Sequence, residues 1–397
     1  MWKSKKGEDE MLEKLIGDFK DRFGLGEVRT FFAPGRVNLI GEHTDYNGGH
    51  VFPCALSFGT YGVVRPRMDK KLRFYSKNFE EVGIVEVDLE NLIYDEGDQW
   101  TNYPKGVIKI FKDSGYDLET GFDMLVFGNI PNGAGLSSSA SLELLTSVVL
   151  KGLHNLDIDM IEMVKMSQKA ENEFIGVNCG IMDQFAIGMG EKDRAILLDC
   201  NTLEYIYAPV ELGDASIIIA NTNVRRGLAD SKYNERREEC ERSLEELQKK
   251  LDIKSLGDLS IEEFEENKEL IKSEIDRKRA RHAVYENQRT IEAVKKLNNG
   301  NIQRFGQMMN ESHISLRDDY EVTGIELDTI VRLAWSEEGV IGARMTGAGF
   351  GGCTVNIVRN ENIDSFIKNI GEKYKNEIGL TADFYVASIG DGARELI

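Results

Sequence analysis

Proline is scarce in this 397-residue chain, with six, and histidine and cysteine are scarcer still, with five each. No low-complexity linker marks a domain boundary, and no internal repeat is visible. The cysteines (Cys54, Cys179, Cys200, Cys240, Cys353) are odd in number and form no Cys-x-x-Cys pair. That excludes a disulfide framework and a local zinc site, and suits reduced thiols in a reducing compartment. The histidines are far apart, and neither His-Glu-x-x-His nor Gly-x-Ser-x-Gly occurs, so zinc-protease and hydrolase-elbow signatures are missing. Apolar runs such as Ala215–Ala220 are far too short to span a bilayer. Basic charge is also short: 49 Lys and Arg face 68 Asp and Glu, a net of −19. This argues against nucleic acid or an anionic membrane as a partner held through a broad basic face. The opening MWKSKKGEDE carries charge where an export signal has its apolar segment. A soluble cytoplasmic protein with no obligate protein partner is expected.

What the chain does have is length and 41% hydrophobic content, enough for a large core and two domains. The pattern divides near residue 200, giving 1–200 and 201–397. Phe122–Phe127 reads as a strand and Gly128–Gly135 as a loop; Ser137–Leu153 and Met160–Phe174 follow with apolar residues at helical spacing. Ala195–Asp199 and Ala215–Asn221 read as strands. Ser231–Asp252 reads as a helix with Tyr233, Cys240, Leu244, Leu247 and Leu251 on one stripe. Residues 256–279 are strongly charged and read as exposed helices and turns. Cys353–Val358 reads as a strand after a glycine-rich loop.

Three stretches carry chemistry. Residues 31–49, FFAPGRVNLIGEHTDYNGG, crowd Arg36, Glu42, His43, Asp45 and Asn47 between glycine pairs, a poor core and a good cradle for a polar ligand. Residues 128–143, GNIPNGAGLSSSASLE, place Gly133 and Gly135 where backbone N–H groups can approach a phosphate. Ser137, Ser138 and Ser139 then open a helix whose first turn favours negative charge. No lysine follows the glycines, so this is not a Walker A loop, and by spacing alone an ordinary serine-capped helix reads the same way. In AENEFIGVNCGIMDQFAIG, residues 170–188, Asn178 and Gly180 mark a helix start and leave Asp183 in the first turn. Such an aspartate is often only a helix-stabilising charge. Finally, MTGAGFGGCTV, residues 345–355, contains Gly-x-Gly-x-x-Gly. The strand-like run after it rules out a dinucleotide loop, which needs a helix there.

Taken in order, these stretches resemble the signatures of the galactokinases, members of the GHMP small-molecule kinase superfamily; RARHAVYENQRT and MNESHISLRDDYEVT add to the match. The resemblance runs from about residue 20 to the C-terminus. It implies an α+β fold of two domains, the first a mixed sheet with helices and the second containing a ferredoxin-like unit, with the site in the cleft between. It implies ATP-dependent phosphorylation of D-galactose at the C1 hydroxyl. Residue by residue, Asp183 would be the catalytic carboxylate and Arg36 its partner across the site. Glu42, His43, Thr44, Asp45, Gly180 and Tyr233 would line the sugar. Gly133, Ala134, Gly135, Leu136, Ser137, Ser138 and Ser139 would cradle ATP. Magnesium would be held by Ser139, or by Ser138, and by Glu171, which on helix periodicity alone reads as a plain surface residue. A guanidinium beside an aspartate makes it a weak base in the ground state, which suits a loose phosphoryl-transfer transition state. Pocket size at the sugar 2-position is not legible in linear sequence, so N-acetylgalactosamine and L-arabinose compete with galactose. Sugar sensors related to the family lack part of the second motif; Ser139-Ala140 is intact here.

Overall fold

The computed structural model describes residues 5–131, 135–224 and 229–396. Its strands are β1 Arg29–Asn38, β2 His50–Val51, β3 Pro53–Pro66, β4 Lys71–Ser76, β5 Val85–Asp88 and β6 Phe122–Gly128 in the first stretch. Then come β7 Arg194–Asp199, β8 Tyr205–Pro209, β9 Ala215–Asn221, β10 Val340–Thr346, β11 Cys353–Arg359, β12 Asp383–Ala387 and β13 Arg394–Leu396. Among the described residues they form three sheets. One is six-stranded in the order β13-β1-β3-β6-β4-β5, mixed because β4 and β6 run parallel. A four-stranded antiparallel sheet, β10-β11-β9-β12, carries the second half, and β2-β7-β8 make a small third. The fold is α+β, as expected, and the strands foreseen at Phe122, Ala195, Ala215 and Cys353 are all present.

β1 shapes the site. Phe31, Phe32, Ala33 and Val37 are all buried, because helices cover one side and neighbouring elements the other. Its register against β3 shifts between Pro34 and Arg36. A bulge of this kind bends the strand and re-aims the next side chain, here Arg36. Opposite the bulge, a Cβ on Gly59 would lie 2.1 Å from the Ala33 carbonyl, so only glycine fits this approach.

Two sequence expectations need correction. The helix starting at Met160 is α-helical only to Lys169; Ala170–Ile175 is a π turn ending at Gly176 with φ 87°. A wide turn of this sort inserts an extra residue and is common where a side chain is re-aimed for function. Residues 256–279 are not uniformly exposed: Leu256, Leu259, Phe264 and Ile271 are buried with Tyr320 and Val322. Charge density on the outer faces hid those apolar anchors.

The two halves share packing. Val37, Leu39 and Phe52 cluster with Ile217, Ile219, Phe305 and Val355 in one apolar core. Residues 394–396 return to pair with β1. The loop that follows β1 is thus held between elements from both halves. Among the described residues no helix is long and apolar enough to cross a membrane.

Candidate active site

Arg36 is buried at the end of β1 and makes a two-pronged pair with Asp183: Nε to Oδ1 at 2.9 Å and Nη2 to Oδ2 at 3.1 Å. Its remaining Nη1 donates to the Gly135 carbonyl at 2.7 Å. Asp183 stands in the first turn of the helix Met182–Met189, where the sequence placed it, and its side chain is partly exposed. The Ser137 hydroxyl also donates to Asp183 Oδ2. Ser137 has φ 62° and ψ 53°, left-handed backbone directly before the helix Ser138–His154. That geometry is costly for a non-glycine residue and persists where surroundings over-determine it.

The loop after β1 brings Glu42, His43 and Asp45 to the same cavity, which Arg36, Glu171, Cys179, Gly180, Asp183, Tyr233, Gly347 and Ala348 also line. Glu42 is buried, and its Oε1 takes the Gly347 N–H at 2.7 Å, the Thr346 hydroxyl at 3.0 Å and Arg344 Nη1 at 3.4 Å. The second half of the chain therefore sets this carboxylate. Gly347, with φ 84°, allows the close approach; a Cβ there would meet the Gly135 carbonyl at 3.0 Å. His43 is also left-handed, at φ 61°. Burial first, then the charges of His282, Arg236 and Arg344, pull its pKa down to about 3, so the ring is neutral. Asp45 is pushed the other way, to about 7, by burial and then by the neighbouring Asp183 charge. Gly180 lies against it: a Cβ there would sit 1.9 Å from Asp45 Oδ2.

Thr44 is placed differently from its neighbours. Its hydroxyl lies 2.9 Å from the Gly41 carbonyl and 2.7 Å from that of His50, closing the loop and facing away from the cavity lining. Leu136 is also a core residue, and its backbone carbonyl accepts from the Arg36 N–H. Ser138 is exposed at the helix start, whereas Ser139 turns toward Glu171. Gly133 and Ala134 lie outside the described residues.

Glu171 is no plain surface residue. The π turn buries it, and its Oε2 accepts from Gln184 Nε2 at 2.7 Å and from the Cys179 thiol at 3.4 Å. The same Gln184 nitrogen donates to Glu143 Oε2 at 3.0 Å. Burial and then the Asp183 charge raise Glu171 to about 7; burial and then Glu171 raise Glu143 further. Gln184 and Glu143 were missed from sequence. Both sit inside quoted motifs, but nothing in helical spacing distinguishes a buried glutamate from a solvated one.

Chemically, the cavity offers several carboxylate acceptors for hydroxyl donors. One fixed guanidinium sits beside two helix starts that favour an anion.

Comparison with known proteins identifies the family of the chain. A family model described as the galactokinase galactose-binding signature matches residues 17–66. Models for the N-terminal and C-terminal domains of GHMP kinases match residues 102–191 and 291–376. A galactokinase of Fusobacterium nucleatum is 65% identical over 385 residues, covering 96% of this chain and 99% of its own. One from Bacillus subtilis is 57% identical, covering 97% and 99%. The crystal structure of Lactococcus lactis galactokinase complexed with galactose superposes with a TM-score of 0.96 at 53% identity, covering 97% of this chain and all of that one. Mevalonate kinase of Methanococcus jannaschii, at 19% identity and TM-score 0.65, shares the fold alone. With identities of 57–65% over nearly its whole length, and with the galactose-binding signature matched, the chain belongs to the galactokinase family of GHMP kinases.

Proposed function

We propose that this protein transfers the γ-phosphoryl group of ATP to the C1 hydroxyl of D-galactose, giving galactose 1-phosphate and ADP. The observation that carries the reading is the Arg36–Asp183 pair at the mouth of a carboxylate-lined cavity, beside the serine-rich helix start. Sugar hydroxyls donate to Glu42 and Asp45, His43 and Tyr233 close the cavity, and Gly180 leaves room for Asp45. The segment Gly133–Ser139 cradles the nucleotide phosphates through backbone N–H groups.

The C1 oxygen attacks the γ-phosphorus in line as the bond to the β-γ bridging oxygen breaks. Asp183 holds the C1 hydroxyl and accepts its proton late, because a loose transition state needs little nucleophile activation. Arg36 orients Asp183 and stabilises charge on the transferring group, a task suited to its planar fork.

Magnesium fits one corner of this site. Glu171 and Glu143 have only neutral donors as hydrogen-bond partners and no ion pair with a basic side chain among the described residues. A hard cation takes oxygen ligands and keeps several waters, and here Glu171 and Ser139 would hold it. Bound there, it would neutralise charge on the β- and γ-phosphates. Cysteines without a disulfide and the acidic surface suit a cytoplasmic enzyme working on small molecules.

The test is ADP release with galactose, N-acetylgalactosamine and L-arabinose side by side, with the product identified by phosphorus NMR. Galactose-dependent ADP release with phosphate on C1 is the expected result. ADP release indifferent to galactose, or phosphate on another carbon, overturns the reading.

A further inference from the structure

RARHAVYENQRT, residues 279–290, and MNESHISLRDDYEVT, residues 309–323, put no side chain on the cavity wall. They lie behind the loop that does, residues 41–50. The first run is part of the helix Glu274–Asn298, and three of its buried side chains meet the loop's backbone. His282 Nε2 lies 3.0 Å from the Glu42 carbonyl, which can only accept, so that nitrogen carries a proton and donates it. Glu286 Oε1 accepts the Gly41 N–H at 3.0 Å, and Asn287 Oδ1 accepts the His50 N–H at 2.8 Å. Asn287 Nδ2 donates to the Gly257 carbonyl at 3.0 Å, which fixes the amide's orientation. The second run braces the first from the helix Ile302–Ser315. Its Ser312 hydroxyl donates to Glu286 Oε1 at 2.5 Å, and its Ser315 hydroxyl lies 2.9 Å from His282 Nδ1.

The groups held this way stand where the loop is least able to hold itself. Gly41 has φ 93°, and a Cβ there would meet the His50 carbonyl at 2.6 Å and Thr290 Oγ1 at 2.9 Å. His43, at φ 61°, adopts a left-handed backbone that persists only where the surroundings over-determine it. The Glu42 carbonyl belongs to the peptide plane that enters His43, and the Gly41 N–H to the plane that enters Gly41. With both planes held, the direction in which Glu42 leaves the backbone is set. Burying a carboxylate and an imidazole costs solvation that apolar residues of similar size would not lose. What the polar side chains add is direction, because each meets one backbone group at one place.

We propose that His282, Glu286 and Asn287 form a clamp that holds loop 41–50 in its sugar-binding shape before sugar arrives, which makes them positioning residues for galactose recognition. This rests on the reading of the cavity as the galactose site and deepens it. None of the three touches sugar or nucleotide in this scheme. They act through Glu42, His43 and Asp45, which reach the cavity from the clamped segment. An unclamped loop samples shapes that misplace those side chains, and the apparent affinity falls with the fraction still competent. Saturating galactose draws the loop back, so the loss shows in the KM for galactose and not in kcat. Among the described residues the clamp makes no hydrogen bond to the serine-rich helix start, so the KM for ATP is spared.

The experiment pairs steady-state kinetics with hydrogen-exchange mass spectrometry of the full-length protein. In wild type the amides of residues 41–50 should be protected without galactose. His282→Asn is too short to bring a donor to the Glu42 carbonyl, whereas His282→Gln sets an amide N–H where Nε2 stood. His282→Asn should raise the KM for galactose about five- to tenfold, the scale of one neutral hydrogen bond, with kcat and the KM for ATP within about twofold. Exchange across 41–50 should quicken in that variant and slow again at saturating galactose. His282→Gln should bring the galactose KM back to within about twofold of wild type. Ser312→Ala removes only the brace on Glu286 and serves where His282→Asn does not fold; it should move both readouts the same way by about two- to fivefold. An unchanged galactose KM in whichever of these two folds, even with a lowered Tm, overturns the clamp and leaves the site reading intact. So does a His282→Gln variant no better than His282→Asn, or a wild-type loop that exchanges freely until galactose is added. Wild-type ADP release indifferent to galactose overturns the site reading, and the clamp with it.

Discussion

Adding one methyl group at Gly180 tests the geometry of the sugar pocket directly. The added Cβ would lie 1.9 Å from Asp45 Oδ2 and 2.4 Å from its Cγ, so the whole carboxylate must swing away. Asp45 is half-buried between two cavities and its charge opposes that of Asp183, so the displaced carboxylate leaves its present position beside Asp183. The backbone at Gly180 is not left-handed, which makes alanine acceptable to the chain itself. Gly180→Ala should therefore fold and lose the Asp45 contact selectively. A hydrogen bond to a charged group contributes about 1.5–3 kcal/mol, which converts to a rise of about 10- to 150-fold in the KM for galactose. Steady-state kinetics with galactose varied at saturating ATP, then ATP varied at saturating galactose, separates the effects; the KM for ATP should stay within about twofold. A galactose KM within about twofold of wild type would mean that Asp45 does not contact the sugar, and the pocket assignment would have to be withdrawn.

Asp183→Ala should lower single-turnover phosphoryl transfer by about 10²-fold or more while leaving ATP binding in place, and near-normal turnover would remove Asp183 from the chemistry. Arg36→Lys keeps the charge but cannot fork, and kcat should fall by about 10²-fold, the scale of one lost transition-state donor, with little change in thermal stability. Gln184→Leu leaves Glu171 without its orienting amide; the magnesium concentration for half-maximal rate should rise about 10- to 100-fold, and an unmoved magnesium curve would break the link between Gln184 and the ion. Asp45→Asn addresses pH. The folded state raises Asp45 to about 7, so its contribution to stability is present in acid below the unfolded value and is lost as pH rises through about 7. The Tm of the variant, measured against wild type by calorimetry, should gain steadily between about pH 4 and pH 7 and level off above; a constant difference would contradict the direction of the shift.

The legible parts of this protein are those whose chemistry is local. Arg36, Glu42, His43 and Asp45 stand within ten residues, and Asp183 announces itself as a helix-start carboxylate after Gly180. Glycine loops flanked by strands and helices could be placed because Gly and Ser have few other uses in such clusters. What could not be read is set by long-range partners. Glu171 resembled a solvated helix residue until the π turn buried it. Thr44 shares the motif of its neighbours, yet its hydroxyl serves the loop, a choice made by backbone carbonyls that sequence does not orient. Tyr320 pairs with Tyr46 across 274 residues, and no periodicity carries that information. The buried apolar residues within 256–279 were hidden by the charges around them.

Residues 394–396 form the outer neighbour of β1, and Thr30 pairs with Leu396 across 366 positions. During synthesis, the strand that presents Arg36 has one edge unpaired until these residues leave the ribosome. An open edge of that kind invites pairing with other chains, and distant closure slows folding. The arginine at the heart of the pocket therefore sits on a strand whose framing waits for residues 366 positions downstream, which makes a few distal residues a checkpoint on assembly of the whole site.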